Sequence, residues 1–317
     1  MKNILICGAT GFIGKNLTLF FSKKKNYKVF AVYHKKRPFK CKNVKWIKCD
    51  LKNEKKVSKI VRNKHIVLQA AATTSGAQDI ISRPYIHVTD NVVMNSYIFK
   101  ACFEEKIQQV IFFSCTVMLQ SSIKAQKEND FNLNNKIYSN YFGVAWTKIS
   151  LEKQCEFFSR ISNTKYTVIR HSNIYGPYDK FDLKKSHFFG ATINKVINSK
   201  EKNITIWGKG EESRDLLHVD DLCEFVRLAL RNQSNNFEVF NCGYGKAYKV
   251  KDIVKKIIKI SGKKLGLRHD LTKKSLNTYL SLNCSKAHNR IGWKKKILID
   301  DGIRKTINWY LSSDKTR

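Results

Sequence analysis

The chain has 317 residues, 42% of them hydrophobic and 12% aromatic, which is a globular composition and enough length for one large domain or two ordinary ones. Its 60 Lys and Arg residues against 25 Asp and Glu residues give a formal charge of +35, but they are spread along the chain and no nucleic-acid-binding motif accompanies them. We therefore expect a basic, solvated surface and no specific nucleic-acid partner, and the lack of an apolar run of about 18 residues predicts no membrane partner.

The nine cysteines favour a reducing compartment. They are scattered, odd in number and contain no C-x-x-C pair, which argues against both a zinc site and a disulfide framework. The apolar stretch "ILICGATGFIG" is interrupted by glycines and no small-residue cleavage site follows it, so we do not interpret it as a signal peptide. The expectation is a cytoplasmic protein without a bound metal.

Strand-like and helix-like segments alternate through the first half of the chain. Buried strands are predicted at 2–8, 27–34, 44–50, 65–72, 108–114 and 166–171, and helices at 13–25, 54–63, 88–105 and 145–161. Apolar runs separated by helices of this length predict βαβ units and a parallel sheet that is buried on both faces.

The regular alternation of strands and helices ends at about residue 175. Helices are predicted at 186–200, 219–232, 249–261 and 300–313, and one more buried strand at 237–243. The chain has three prolines and no low-complexity linker or repeat, so any second domain must be interleaved with the first.

Three glycines lie between the first strand and the first helix. Gly8, Gly11 and Gly14 form a G-x-x-G-x-x-G pattern in "ICGATGFIGKNL". A tight turn from strand to helix needs residues without Cβ, and a pyrophosphate on the helix N-terminus needs close backbone approach and free N–H donors. The position of the glycines predicts a dinucleotide-binding turn.

The end of the second strand bears on the choice of cofactor. It reads "AVYHKKRPF", with no acid to bind the ribose 2′-OH of NAD and with His34, Lys35, Lys36 and Arg37 in a position to accommodate the 2′-phosphate of NADP. We expect NADP(H) in preference to NAD(H).

Taken in order, several motifs resemble one enzyme family. They are "GATGFIG", "KCDL", "AAATTSG", "FFSCT", "WTKISLE", "RHSNIYGPYDKFD", "SHFFGAT", "WGKGEESRDLLHVDDL" and "FNCGYGKAYKV". Together they resemble extended short-chain dehydrogenases/reductases of the nucleotide-sugar epimerase and dehydratase type, with the closest likeness to GDP-fucose synthases. The resemblance implies a doubly wound Rossmann domain at 1–174, with a returning segment near 215–245, and a smaller interleaved C-terminal α/β domain at 175–317 for the nucleotide sugar.

The resemblance also implies a set of site residues. The cofactor would contact the glycine turn, the loop after the second strand and the ends of later strands, that is Gly8, Thr10, Gly11, Phe12, Ile13, Gly14, His34, Lys35, Arg37, Asp50, Leu51, Ala71, Ala72, Lys148, Ser172, Asn173 and Ile174. The nucleotide sugar would contact Asn173, His187, Lys195 and Arg214. Thr116 and Lys148 fall on the family's catalytic Ser/Thr and lysine, and His187 on a proposed acid of epimerisation.

One catalytic residue of the family pattern is missing. The family has a tyrosine four residues before its lysine, and this chain has Val144 there. Tyr141 is our candidate substitute; it lies seven residues before Lys148, about 10 Å away along a helix axis, so it serves only if its segment curls back over the site. His171, His187, Cys115 and ordered water are other candidates for the proton. The family's second epimerisation residue, a cysteine, falls at Val117, and a continuing strand would turn Cys115 to the opposite face.

The expected function is that of an NAD(P)-dependent enzyme that oxidises, reduces or epimerises the hexose or heptose ring of a nucleotide sugar. Reduction of a 4-keto sugar, with or without epimerisation beside the carbonyl, is favoured. A UDP- or GDP-sugar 4-epimerase, a 4,6-dehydratase and a non-catalytic member that has lost the tyrosine are the alternatives. The resemblance also implies a homodimer formed by the helices at 90–105 and 146–160.

Overall fold

The computed structural model describes residues 1–74, 83–134, 136–183, 186–272 and 278–314. Its centre is a sheet of seven parallel strands in the order β3-β2-β1-β4-β5-β6-β10. The strands are β1 (Lys2–Cys7), β2 (Tyr27–Tyr33), β3 (Val44–Lys48), β4 (Ile66–Gln69), β5 (Gln109–Ser114), β6 (Lys165–His171) and β10 (Phe237–Cys242). This is the strand order of a doubly wound Rossmann sheet, as predicted.

Helices cover both faces of this sheet. On one face lie α2 (Glu54–Val61), α3 (Thr89–Glu104) and α4 (Phe142–Arg160), and on the other α1 (Phe12–Phe21), α6 (Val219–Asn232) and α8 (Ser285–Ile291). Ile4 and Ile6 belong to the apolar core on the α1 side, whereas Leu5 and Cys7 belong to the core on the α3 side. Since alternate side chains point to opposite faces, a strand buried on both sides has the continuous apolar run that the sequence shows.

A third apolar core lies outside the main sheet. It is enclosed by α5 (Phe188–Asn198), α7 (Val250–Ser261) and α9 (Ile299–Asp314) together with short strands. Those strands are β7 (Asn173–Tyr175), β9 (Ser213–His218) and β11 (Ala247–Lys249) in one sheet, and β8 (Asn203–Trp207) with β12 (Gly266–Asp270) in another. The core is consistent with a smaller C-terminal unit, whose limits remain a prediction.

Two local expectations were wrong. The helix predicted from residue 145 begins at Phe142, so Val144 is helical and lies one turn before Lys148. The strand before Val117 does not continue: β5 ends at Ser114, and a turn follows in which the Leu119 N–H donates to the Thr116 carbonyl at 2.9 Å. Cys115 and Val117 therefore do not follow the alternation of a strand. Among the described residues, no helix is long and apolar enough to cross a membrane.

Candidate functional site

The glycine turn packs directly against the chain that follows β4. Gly8 has a φ of +73°, and a Cβ on it would lie 2.7 Å from the Ala71 Cα. A Cβ on Gly14 would lie 2.1 Å from the Gly8 carbonyl oxygen, and the Gly11 N–H donates to that same oxygen at 2.9 Å. Side chains at these positions would push the turn apart, so the glycines allow a close backbone approach.

The N-terminus of α1 is suited to an anion. Its N-cap is Gly11, which supplies no capping side chain, and its first turn contains no acid. The N–H groups of this turn and the positive end of the helix are therefore available to a phosphate. These residues fit the pyrophosphate of a dinucleotide and would hold it at the carboxyl edge of the sheet.

The loop after β2 is basic and exposed, and an acid lies beside it. His34, Lys35 and Arg37 are exposed, and the His34 Nε2 lies 3.8 Å from the Asp50 Oδ2. Leu51, the next residue, is buried. Further along the same edge, the Ala71 carbonyl accepts a hydrogen bond from the Gln69 amide at 3.2 Å, and Ala72 is exposed.

Lys15 connects this loop to the other side of the site. Its ammonium lies 4.5 Å from the centroid of the Phe39 ring and 4.2 Å from that of Tyr178. Burial lowers the pKa of Lys15, and the nearby charge of Lys36 lowers it further. Tyr178 in turn contacts Trp309 of α9, with 4.8 Å between ring centroids.

Lys148 extends from α4 to the carboxyl end of β5. Its Nζ donates to the Phe113 carbonyl at 2.8 Å and lies 4.8 Å from the centroid of the Phe112 ring. Burial lowers the pKa of Lys148, and the neighbouring Cys115 and Glu152 oppose that shift. Cys115 comes directly after β5. The next residue is Thr116, which the sequence analysis predicted to be catalytic.

A buried ion pair lies behind Lys148, and the sequence analysis did not identify it. The Arg170 Nη2 lies 2.7 Å from the Glu152 Oε2, and the Ser114 hydroxyl donates to the same carboxylate. Arg170 also donates to the Glu128 carbonyl at 3.0 Å. The sequence shows that Glu152 lies one helical turn after Lys148, but it does not show that Arg170 on β6 is the partner of this acid.

Tyr141 is distant from Lys148 along the helix. It is the N-cap residue of α4, two turns before Lys148, and its backbone N–H donates to the Tyr138 carbonyl at 2.9 Å. A catalytic role of Tyr141 stays a prediction that this geometry does not favour.

His171 is the last residue of β6. Its Nδ1 lies 2.8 Å from the Ser172 carbonyl oxygen, so the ring carries its proton on Nδ1 in the neutral form. Burial lowers the pKa of His171 to about 4, and the charges of Lys148 and His187 contribute to the shift. The charges of Lys148 and His187 thus act on His171.

The residues expected to contact the sugar lie on the small sheet and α5. The Asn173 amide donates to the Asp215 carbonyl at 3.2 Å, and the Arg214 Nη1 donates to the Thr278 hydroxyl at 2.6 Å. His187 is the N-cap of α5, and Lys195 is exposed in its last turn.

Asp215 of β9 attaches two loop segments to this region, and the sequence analysis did not single it out. Its buried carboxylate accepts the N–H groups of Tyr244 at 2.6 Å, Gly245 at 3.0 Å and Leu282 at 3.1 Å. Burial raises the pKa of Asp215, and these three donors oppose the shift. These hydrogen bonds hold both loop segments against β9, next to Arg214.

Residues 4–243 match the model of the NAD dependent epimerase/dehydratase family. The chain belongs to this family. A relative named GDP-L-colitose synthase, from Yersinia pseudotuberculosis, is 27% identical over 98% of this chain and 98% of its own length. A GDP-L-fucose synthase of Escherichia coli is 24% identical over 78% of this chain and 80% of its own length.

A solved structure has the same fold. The UDP-glucose 4-epimerase of Thermotoga maritima, determined with UDP-glucose, superposes with a TM-score of 0.87 at 23% identity, covering 98% of this chain and 99% of its own. Membership confirms the family predicted from the motifs and the prediction of an NAD(P)-dependent enzyme of the nucleotide-sugar epimerase and reductase class.

Proposed function

We propose that this protein reduces the 4-keto group of a nucleoside-diphosphate sugar, with epimerisation at a carbon beside the carbonyl as an accompanying step. The observation that carries the proposal is that the glycine turn and Lys148 lie at one carboxyl edge of the parallel sheet. Ligands of open α/β sheets bind at that edge. The similarity to the Yersinia GDP-L-colitose synthase extends over nearly the whole of both chains and supports a GDP-sugar.

A bound nicotinamide would supply the hydride for the sugar carbon, and the chain's own residues would hold the reactants in position. The glycine turn binds the pyrophosphate, and the Lys148 ammonium holds the nicotinamide ribose and adds positive charge near the carbonyl oxygen. Thr116 donates a hydrogen bond to that oxygen. Asn173, His187, Lys195 and Arg214 orient the sugar nucleotide, the guanidinium of Arg214 being suited to its diphosphate.

NADP(H) is the proposed cofactor. The exposed Lys35 and Arg37 follow β2, and the loop itself contains no acid; Asp50, 3.8 Å from His34, comes from the segment after β3. Replacing both by glutamate should raise the Kd of NADPH at least tenfold and leave that of NADH within about threefold, measured by fluorescence titration. Lys263→Glu/Lys264→Glu, at exposed positions after α7, changes the net charge equally and should leave both values unchanged. Equal losses of NADPH affinity in the two double variants would mean that cofactor binding depends only on the overall charge.

The test of the reaction follows the sugar by mass spectrometry. Purified protein is incubated in deuterated water with GDP-, UDP-, CDP- and dTDP-sugars, including 4-keto forms, and with either NADPH or NADH. A gain of two hydrogens by a 4-keto sugar establishes reduction, and carbon-bound deuterium identifies the epimerised carbon. If no sugar changes while the cofactor still binds, the proposal fails and Val144 marks a lost activity.

A further inference from the structure

The chain lacks the tyrosine that would lie one helical turn before Lys148, because Val144 occupies that position. The proposed reduction still needs a group that gives a proton to the sugar oxygen. We infer that the Lys148 ammonium gives this proton directly and is the acid of the reaction. The inference rests on the proposed function, because it names the acid of that same site.

Lys148 reaches the projecting end of a central strand. Its Nζ donates to the Phe113 carbonyl at 2.8 Å. Gln69, the last residue of β4, lies opposite Phe112, so β5 extends past β4 by two residues, of which Phe113 is the first. A direct hydrogen bond therefore holds the ammonium at the carboxyl edge of the sheet, where ligands of this fold bind.

The position of Lys148 in the sheet suits the nicotinamide half of a cofactor. The glycine turn follows β1, and β4 lies between β1 and β5. Neighbouring strands lie about 4.8 Å apart, so the ends of β1 and β5 are separated by about 10 Å. A group at the end of β5 is thus within reach of the other half of a cofactor whose pyrophosphate lies on the turn.

Lys148 has free N–H groups on the open side of α4. Val144 and Lys148 are partly exposed, and the residue that follows each of them is buried. Residues four apart share one face of a helix, so both side chains lie on its open side. An ammonium has three N–H donors, and the Phe113 carbonyl accepts one of them. Because Val144 has no polar group, the other two are available to the cofactor ribose and the sugar oxygen.

Burial makes Lys148 a better acid and its neighbour Cys115 a worse one. Burial disfavours the charged form of a group. It therefore lowers the pKa of the Lys148 ammonium, which is charged before it gives up a proton, and raises the pKa of the Cys115 thiol, which is charged afterwards. An ordinary lysine has a pKa of about 10.4, so a lower value brings the ammonium closer to that of an efficient acid at neutral pH.

The other candidates are less well placed. Tyr141 is two helical turns before Lys148, and His187 is exposed at the start of α5. By strand alternation, His171 shares with Ile169 the face of β6 that packs toward α1, opposite to α4. Burial lowers the pKa of His171 to about 4, so no imidazolium is present at neutral pH.

The proton and the hydride balance in both directions. In the reduction, an Nζ–H bond of the ammonium breaks and an O–H bond forms on the carbonyl oxygen, while the carbon gains a hydride from NADPH, which becomes NADP⁺. The neutral amine then takes a proton from water. In the oxidation, the neutral amine takes the O–H proton of the sugar alcohol, the carbonyl forms, and NADP⁺ receives the hydride.

The pH dependence follows from the groups around Lys148. They are Cys115 after β5, Glu152 and Cys155 on α4, and Arg170 and His171 on β6. Burial lowers the pKa of Lys148, whereas Cys115 and Glu152 favour the ammonium, so the proton is present at neutral pH. The reduction rate should be level around neutral pH and fall as the pH rises through the pKa of Lys148, which is below the ordinary value of about 10.4. The oxidation rate should rise over the same range, because oxidation needs the neutral amine. A reduction rate that rises with pH over this range would overturn the inference.

The first kinetic test replaces the ammonium with a group of equal charge that keeps its protons. Lys148→Arg retains a cation with N–H donors, but a guanidinium does not give up a proton in a protein. It should lower kcat at least 100-fold, the usual size of an acid–base contribution, with the cofactor Kd within about threefold. Lys153→Arg, at a side chain of the same helix that is 64% exposed, should change neither value. A Lys148→Arg enzyme with the kcat of the wild type would contradict the inference, because charge alone would then suffice.

Chemical rescue distinguishes a proton donor from a residue that only positions the reactants. Lys148→Ala removes the ammonium and leaves space beside β5 for a small amine. At saturating cofactor, added methylammonium should raise the kcat of this variant at least tenfold, since it supplies an N–H acid. Tetramethylammonium, which has the same charge and no N–H, should leave kcat unchanged. Equal rescue by the two ions would show that the site needs a charge and no proton donor.

A measurement without turnover separates this inference from the proposed function. In protein labelled with ¹³C at the lysine ε-carbon, the signal that is absent from Lys148→Arg should titrate at lower pH than the exposed lysines. It should move to still lower pH when NADP⁺ binds, because the nicotinamide ring of NADP⁺ is positively charged. A Lys148 signal that titrates with the exposed lysines and does not respond to NADP⁺ refutes the role of Lys148 even if the enzyme turns over. Absence of turnover across the sugar panel in the wild type, with the expected titration, refutes the proposed function instead.

Discussion

At the scale of single residues, the clearest consequence concerns Gly14. A methyl group there would lie 2.1 Å from the Gly8 carbonyl oxygen, a backbone atom that cannot rotate away. Gly14→Ala should therefore shift the glycine turn, cost about 1–3 kcal/mol of unfolding free energy and weaken cofactor binding at least 100-fold. Urea denaturation and NADPH fluorescence titration measure the two effects.

Gly262 provides the matched control for this prediction. It has a φ of +73°, and a Cβ on it would meet no atom within 4 Å. Gly262→Ala should cost about 1–2 kcal/mol through backbone strain alone and leave the cofactor Kd unchanged. If Gly14→Ala binds NADPH as tightly as Gly262→Ala, the close approach in the glycine turn is not needed for binding.

The ion pair of Glu152 and Arg170 leads to a second prediction. The side chains are only 6% and 7% exposed, so Arg170→Met leaves a buried carboxylate without its partner. We expect a loss of about 3–5 kcal/mol in urea denaturation, and a smaller loss in Glu152→Gln/Arg170→Met, which removes the buried charge.

Arg160 tests whether burial is the cause. Its side chain is 71% exposed and forms an ion pair with Glu156 on the same helix. Arg160→Met should cost less than about 1 kcal/mol, since solvent screens exposed pairs. Similar losses in Arg160→Met and Arg170→Met would contradict the prediction.

Spacing in the sequence predicted those residues that act together within one short segment. The three glycines, and Lys148 one turn after Val144, are local patterns, and the structure has them in the expected turn and helix. The Glu152–Arg170 pair and the orientation of His171 depend on how a helix and a strand meet, and on one hydrogen bond. Such contacts have no periodic signal in a single sequence.

At the scale of elements, α4 has an apolar stripe on its surface. Phe142, Trp146, Phe157 and Ile161, the last of these being the C-cap, are 60%, 39%, 56% and 49% exposed. The spacings of four and eleven residues correspond to about one and three helical turns, so the four side chains share one face. We expect this face to form the homodimer that the family resemblance implies, together with α3.

Trp146→Glu/Phe157→Glu should convert the dimer to a monomer at micromolar concentration, because it buries two charges in an apolar contact. Light scattering after gel filtration gives the mass directly. Leu298→Glu, at a residue that is 59% exposed before α9, should leave the mass unchanged. A double variant that elutes with the wild-type mass would place the interface elsewhere.

The elements that the sequence predicted best are those with the longest apolar runs. Six of the seven strands of the main sheet consist mostly of buried residues and are visible as apolar runs, whereas the edge strand β3 has no buried residue and is interrupted by lysines. The strands β7, β8, β9, β11 and β12 and helix α8 were not predicted. They have three to seven residues, and several mix buried with exposed positions, so their conformation depends on tertiary packing.

At the scale of the whole molecule, the charge of +35 should make stability depend on salt. Like charges repel in the compact state, and raising the ionic strength from 0.01 M to 0.1 M shortens their range from about 30 Å to about 10 Å. Raising NaCl from 10 to 300 mM should therefore raise Tm by roughly 2–8 °C, or about 1–2 kcal/mol. Calorimetry at matched pH measures the shift.

A charge variant distinguishes repulsion from specific ion binding. Lys23→Glu/Lys25→Glu changes two exposed positions after α1 and removes two units of charge at each. Its Tm should rise less with NaCl than that of the wild type. A Tm that does not respond to salt in the wild type would show that the basic residues are already compensated by nearby acids.

Lys15 has a consequence for the order in which ligands bind. It follows the phosphate turn, and the two rings that enclose it come from the loop after β2 and from the segment after β7. We expect a dinucleotide that contacts the first of these to restrain Lys15 and, through it, the ring from the second. Coupling between two binding sites is reciprocal. Each of the two ligands, cofactor and sugar nucleotide, should lower the Kd of the other. This favours an ordered sequence of binding with the cofactor first.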